Sequence, residues 1–407
     1  MKSGLPAMAQ TACLALWCCF AIPPAMAAPD AGRTQLVSAN TGFAFDLLRQ
    51  IAGEQPNADI FVSPYSVSSV LQMTANGAAG DTRAEMQRVL KTAGLSPEIV
   101  NTANQELNRS LNSATNVILN LADAIWFQDG IRLKTGFAAD NSRFFHAQLA
   151  PVDFKKPESA RTINDWAANN THGKIKDVVQ WPFDPLTRLI LANAIYFKGQ
   201  WVRPFDKTAT RSRPFHLTGD RTRPMSMMFQ RGHFDYLEDD DFQVVRLPYA
   251  GGRLQMYLFL PGTNSNPIKL LAGLNPETWR DRILPGFCDR EGLLMFPRFR
   301  LDYSVVLNDP LQALGMRHAF DDADFSAMTG ERLFISEVKQ NSYVEVNEEG
   351  TEAAAVTTVT IRATAIMEPV KPFEMIVDRP FFFVIADRET QSILFMGLIY
   401  DPAGQGG

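Results

Sequence analysis

Few residues in this 407-residue chain are equipped for chemistry, and their spacing does not support it. Five histidines are present: His146, His172, His216, His233 and His318. An imidazole acts as base or metal ligand when a partner stands at a fixed offset, as in His-Glu-x-x-His on one helix face. None of the five has that partner, and no Cys-x-x-Cys pair offers a metal site. No Gly-x-Ser-x-Gly elbow is present to expose a nucleophilic serine. The acidic triplet Asp239-Asp240-Asp241 reads as a solvated loop rather than a calcium site. Cys288 has no activating base in its local sequence, so it is expected to be a partly buried structural thiol. The chain is therefore expected not to be an enzyme, with no catalytic residue, metal or cofactor.

One stretch has a different kind of chemistry written into it. Between Glu348-Glu349-Gly350 and Ile361, alternate residues Thr351, Ala353, Ala355, Thr357, Val359 and Ile361 form a small or apolar face. Glu352, Ala354, Val356, Thr358, Thr360 and Arg362 form the other, which carries both charges. Such alternation suits a β-strand with one buried and one wet face. Yet the flanks, Glu-Glu-Gly before and Met367-Glu368-Pro369-Val370-Lys371-Pro372 after, read as extended loop. The composition fits a segment that is loop in one state and strand in another. It fits an ordinary edge strand or an alanine-rich helix as well.

Several elements would have to hold such a segment. Leu36, Phe43, Leu47 and Ile51 recur at helical spacing. Ile60-Phe61-Val62 reads as a short buried strand, followed by Ser63 as an N-cap, Pro64 at the first helical position, and a helix to about Asn76. Another helix is expected to start near Thr82. Val117 to Phe127 reads as a strand, and Ile163 to Asn170 as a helix. Leu189 to Phe197 is so apolar that it reads as a central strand buried on both faces, with Asn193 in need of partners. Lys198 to Trp201 is expected to turn the chain out of the sheet. Val244 to Leu247 and Leu254 to Leu260 form a hairpin, as do Phe381 to Ala386 and Ile393 to Ile399, the latter in mid-core. Leu293 to Phe299 is a further strand, followed by a short helix bearing Leu311 and Leu314. The irregular interleaving of helices and strands points to α+β.

Composition narrows the class further. With 46% apolar and 20% charged residues the chain is ordinary for a globular protein, and no linker or repeat divides it. The net charge of −5, with basic residues scattered, argues against nucleic-acid binding. Lys2, the short apolar run from Ala12 to Ile22, and small residues at Ala25 and Ala27 read as an export signal over residues 1–27, too short to span a membrane. Cys13, Cys18 and Cys19 would leave with it, so the exported chain, residues 28–407, could form no internal disulfide.

Phe61-Val62-Ser63-Pro64-Tyr65-Ser66, Asn193 with Tyr196 to Trp201, Leu247-Pro248-Tyr249, the segment from Val346 to Ala355, and Arg379-Pro380-Phe381 with Phe395-Met396-Gly397 together resemble the serpin family, in the family's order. The resemblance runs from about Leu36 to Pro402. It implies a single α+β domain of three β-sheets and eight to nine helices, with an exposed reactive-centre loop at about 348–372. It also implies a monomeric suicide-substrate inhibitor of serine proteases. The protease cleaves the loop and, while still acylated, is carried away as the loop inserts into the main sheet. Strand addition of this kind is long attached to the family, not a result of this chain's sequence.

On that resemblance, Glu348, Glu349, Gly350, Thr351, Glu352, Ala353, Ala354 and Ala355 would form the hinge. Ser63, Ser66, Asn193, Gln340 and Trp201 would form the region where the sheet opens. The family often carries a histidine where this chain has Gln340, so pH switching through an imidazole is lost. Counting from Glu348 places the scissile bond at Thr364-Ala365, which suits an elastase-like or subtilisin-like protease. Arg362-Ala363 is the alternative and suits a trypsin-like one. No basic cluster marks residues 106–116, where heparin-binding members carry theirs, so no heparin cofactor is expected. A non-inhibitory carrier, or an inhibitor of papain-like cysteine proteases, are the competing readings. From Thr351 to Thr364 an extended strand would span about 45 Å. Its dozen or so backbone hydrogen bonds would contribute on the order of 10 kcal/mol before ordering costs.

Overall fold

The computed structural model describes residues 29–219, 221–351 and 371–403. Glu352 to Ala355, Arg362-Ala363 and Thr364-Ala365 lie outside the described residues, as does the expected export signal.

Helix α1 (Pro29–Glu54) buries Leu36, Phe43, Leu47 and Ile51 fully, following the spacing. Strand β1 (Ile60–Val62) leads into α2 (Pro64–Ala75), where the Ser63 hydroxyl accepts from the Ser66 N–H and Pro64 fills the first turn. Helices α3 (Gly80–Val89) and α4 (Pro97–Asn112) complete this layer; α3 starts two residues before the expected Thr82. Next come β2 (Val117–Gln128), α5 (Thr135–Phe145), β3 (Gln148–Val152), α6 (Pro157–Asn170) and β4 (Leu189–Gln200). The expected turn at Lys198 is absent, because β4 keeps its partners through Gln200 and Trp201 still bridges to Tyr249.

The second half contributes β5 (Arg211–His216), β6 (Thr222–Glu238), β7 (Phe242–Pro248), β8 (Leu254–Pro261), α7 (Pro267–Ala272), β9 (Cys288–Pro297), β10 (Phe299–Val306) and α8 (Asn308–Ala313). Strands β11 (Glu337–Asn347), β12 (Gly350–Thr351), β13 (Phe373–Ile376), β14 (Phe381–Asp387) and β15 (Ile393–Ile399) close the fold.

The strands form a six-stranded sheet, β10-β11-β12-β4-β2-β3, and a nine-stranded network, β1-β15-β14-β8-β7-β6-β9-β13 with β5 on β6. The three expected sheets are thus joined as two networks among the described residues. The cause is β6, which pairs β9 through Met227 to Tyr236 and β7 through Asp235 to Glu238. Strand β4 is buried on both faces as expected: Leu189, Leu191, Ile195 and Phe197 face the main core, and Ile190, Ala192 and Ala194 pack beneath α6 with Trp126, Ile163 and Trp166. The hairpin β14–β15 is buried throughout, with Phe61 stacked between Phe383 and Phe395 at 5.8 and 5.5 Å. A Cβ at Gly397 would lie 2.2 Å from the Phe383 ring, so only glycine fits there. Cys288, expected partly buried, is exposed because it opens β9 at the rim of its sheet. All five histidines are exposed.

Candidate functional site

The segment singled out by its alternation begins inside the six-stranded sheet. β11 ends at Asn347, Glu348-Glu349 turn the chain, and Gly350-Thr351 return as β12 between β11 and β4. β12 is antiparallel to both neighbours, with Thr351 opposite Val346 on one side and Gly199 on the other. The approach is close enough to exclude a side chain at residue 350. Gly350 has φ +147°, and a Cβ there would stand 2.1 Å from the Gly199 carbonyl oxygen.

Polar contacts fix the turn. The Trp201 indole donates to the Asn347 carbonyl at 3.0 Å, and the Trp201 N–H donates to the Glu349 carbonyl at 2.9 Å. The Phe205 N–H donates to the Glu348 carbonyl at 2.8 Å. The Glu348 side chain is 1% exposed, pairs with Arg298 and accepts from the Thr210 hydroxyl. Burial pulls its carboxyl upward, but the Arg298 and Thr210 contacts outweigh that and hold it below the ordinary glutamate value. Glu349 pairs with Lys207 at the surface. Thr351 is fully buried, its hydroxyl 2.8 Å from that of Tyr249, whose ring stacks on Trp201 at 4.5 Å.

Below Thr351 the neighbours of β12 meet each other. β11 and β4 pair directly and in parallel from Glu337–Ile190 to Tyr343–Tyr196. A strand continuing β12 downward would have to separate these seven pairs of residues.

A buried polar cluster locks that seam to the helical layer. Gln340 accepts from the Ser63 N–H and donates to the Ser63 carbonyl and to Asn193 Oδ1, each at 3.0 Å. The amide of Asn193 donates to the Ser66 hydroxyl and to Asp123. Ser66 also donates to Asp123 Oδ1 at 3.3 Å. The Ser342 hydroxyl ties β11 to the Phe61 carbonyl of β1. Asp123 has no cation among these partners. Burial pushes its carboxyl up to about 6, against the pull of hydrogen bonds from Ser69, Asn193 and Ser66.

A family model described as Serpin (serine protease inhibitor) matches residues 38–402. The chain belongs to the serpin family. It is 38% identical over 375 residues to an uncharacterized serpin-like protein of Thermococcus kodakarensis, covering 90% of this chain and 86% of that one. It is also 38% identical over 381 residues to a leukocyte elastase inhibitor of Bos taurus, covering 90% and 100%. Its fold is similar to that of human thyroxine-binding globulin complexed with thyroxine, with TM-score 0.82 and 27% identity over 92% of this chain and all of that one. These serpins share the α+β architecture, and the family description is of protease inhibitors rather than catalysts.

Within this serpin the residues read from sequence fall into two groups. Ser63, Ser66, Asn193 and Gln340 converge on the seam, whereas Trp201 stands at the head of the slot with Glu348 to Thr351. Asp123 was not anticipated. Its signal was present as the one charge in Val117 to Gln128, and the register sets it opposite Asn193.

Proposed function

We propose that this serpin is a suicide-substrate inhibitor of serine proteases, in which the chain after Thr351 continues β12 into the six-stranded sheet once it is cleaved. The observation that carries this reading is the position of Gly350-Thr351, antiparallel to β11 and β4 above a seam where those two strands pair directly with each other and nothing lies between them. The target's serine Oγ attacks the carbonyl carbon of the bait residue, and the peptide C–N bond breaks. The new amine leaves on the C-terminal segment while the bait carbonyl stays esterified to the protease. Insertion then separates the two cut ends before water reaches the ester. The bait is Thr364-Ala365, for an elastase-like or subtilisin-like protease, with Arg362-Ala363 as the alternative.

The likeness to a thyroxine carrier favours a second reading, a scaffold that never inserts its loop. The fully buried, hydrogen-bonded Thr351 weighs against it, since a carrier has no need to start a strand there. The protein is further proposed to act as a monomer and to be exported with the leader removed after Ala27, which the N-terminal mass of the protein recovered outside the cytoplasm would check. Incubation with an elastase, with trypsin and with papain, followed by denaturing electrophoresis, tests the main reading. An SDS-resistant complex with a serine protease is expected. Clean cleavage by every enzyme, with no complex and no gain in thermal stability, would refute it. The mass of the released C-terminal fragment identifies the bond.

A further inference from the structure

Basic residues are not evenly scattered, as the whole-chain composition suggested. Residues 198–231 hold eight arginines and lysines against two aspartates, in a chain of net charge −5. The β5–β6 ribbon displays them. Arg211 and Arg213, two apart on β5, share one face at about 7 Å spacing. Arg213 opposes Met225, which makes Arg223 its diagonal neighbour across the ribbon. No acidic residue occurs in Arg211–His216 or Thr222–Met227. Arg223 is neutralised by Asp401 at 2.8 Å. Arg203, Arg211, Arg213, Arg221 and Arg231 are exposed and form no ion pair among the described residues. Arg203, Arg211 and Arg221 donate only to backbone carbonyls. Arg211 and Arg213 stand opposite Met227 and Met225, so no cross-strand ion pair within the ribbon accounts for them.

Their position says what could. The chain leaves the described residues at Thr351, on the Lys207 side of this ribbon, and returns at Lys371 to form β13 on β9, which pairs β6. From β13 to β5 is three strand spacings, about 14 Å laterally, with a further offset along β6 because β13 faces its residues 229–232 through β9 and β5 faces 222–227. A protease domain of 250 residues has a radius of gyration of about 18 Å. A protease engaged on this segment close to its return at Lys371 would therefore reach the ribbon.

We propose that the β5–β6 face is an exosite that selects serine proteases with an acidic surface beside the active-site cleft. The inference rests on the inhibitor reading and adds partner selection to it. Charge of this kind acts on the rate of encounter, and it fades as salt shortens the screening length from about 20 Å at 20 mM to about 4 Å at 500 mM.

The test compares native subtilisin with subtilisin acidified by succinylation of its lysines. With the wild-type serpin at 20 mM salt, the acidified enzyme is expected to associate about tenfold faster than the native one, and less than twofold faster at 500 mM. Substituting Arg211→Gln and Arg213→Gln together should abolish the preference at low salt while leaving the yield of SDS-resistant complex at completion unchanged. Equal rates for the two subtilisins on the wild type, or a preference that survives in the variant, would overturn the proposal. So would acceleration of native subtilisin by dextran sulfate without any preference for the acidified enzyme, which would make the face a polyanion site. If neither subtilisin forms a complex, the inhibitor reading fails, but kcat/KM for cleavage of the chain still reports the charge preference.

Discussion

Replacing Asp123 by asparagine should stabilise the protein, and only where the native carboxyl would be ionised. Asparagine keeps an acceptor oxygen for the Asn193 amide and the Ser66 hydroxyl while removing the charge. The Asp123 carboxyl sits at about 6 in the fold against 3.8 in the unfolded chain. At about 1.36 kcal/mol per unit, and allowing for the partial exposure of the strand, ionisation weakens the native state by about 2–3 kcal/mol. Because the folded value lies above the unfolded one, the stability this carboxyl contributes is greatest below pH 3.8 and is lost as pH rises to about 6. Unfolding entropy for a chain this long is about 0.8 kcal/mol per degree, so the Asp123→Asn midpoint should exceed the wild type by about 3 °C at pH 8. The gap should hold from pH 8 down to about 6 and then shrink as pH falls toward 3.8. Thermal scans by circular dichroism at one fixed rate, both proteins side by side, provide the comparison. Asp59 is also pushed up by burial to about 6, but it contributes equally to both proteins and cancels. A variant less stable than wild type at pH 8, or a gap independent of pH, would refute the reasoning.

Arginine at Thr351 would bury a charge between β11 and β4 at a cost of several kcal/mol. Thr351→Arg should therefore turn the inhibitor into a substrate, seen as cleaved chain without SDS-resistant complex; retained complex would count against the slot. Gln340→Ala leaves the Ser63 N–H and Asn193 Oδ1 without their partner, while the Ser63 carbonyl keeps the Val67 N–H. At about 1–3 kcal/mol for each buried group left unpaired, its urea midpoint should fall clearly. Glu348→Ala removes a buried carboxylate from a half-exposed Arg298, so a loss of about 1–3 kcal/mol is expected in the same titration.

The parts of the fold legible in sequence were those whose pattern is local and apolar. The β14–β15 hairpin announced itself through two unbroken hydrophobic runs, and α2 through Ser63-Pro64. The double burial of β4 followed from Leu189 to Phe197 in the same way, with Asn193 marked as a residue needing partners. The continuation of β4 through Gln200 was hidden because Gly199 and Gln200 carry no strand signal; their place is set by Gly350 lying against them. Asp123 was hidden for a related reason. Its importance comes from register with a strand 70 residues away and from helix α2 above, neither of which local periodicity encodes. The basic ribbon was diluted in the whole-chain charge, since only the β5–β6 pairing sets Arg213 diagonally across from Arg223.

The parallel seam between β11 and β4 has a kinetic consequence. Parallel pairs are slightly weaker than antiparallel ones, and a strand continuing β12 would exchange one parallel ladder for two antiparallel ladders. Each step downward would then leave the sheet better paired than before, so the uphill work is concentrated at the first separation, near Tyr343 and Tyr196. On the proposed mechanism the sheet would act as a one-way timer, slow to start and hard to reverse, with its delay set by the few residues at the top of the seam.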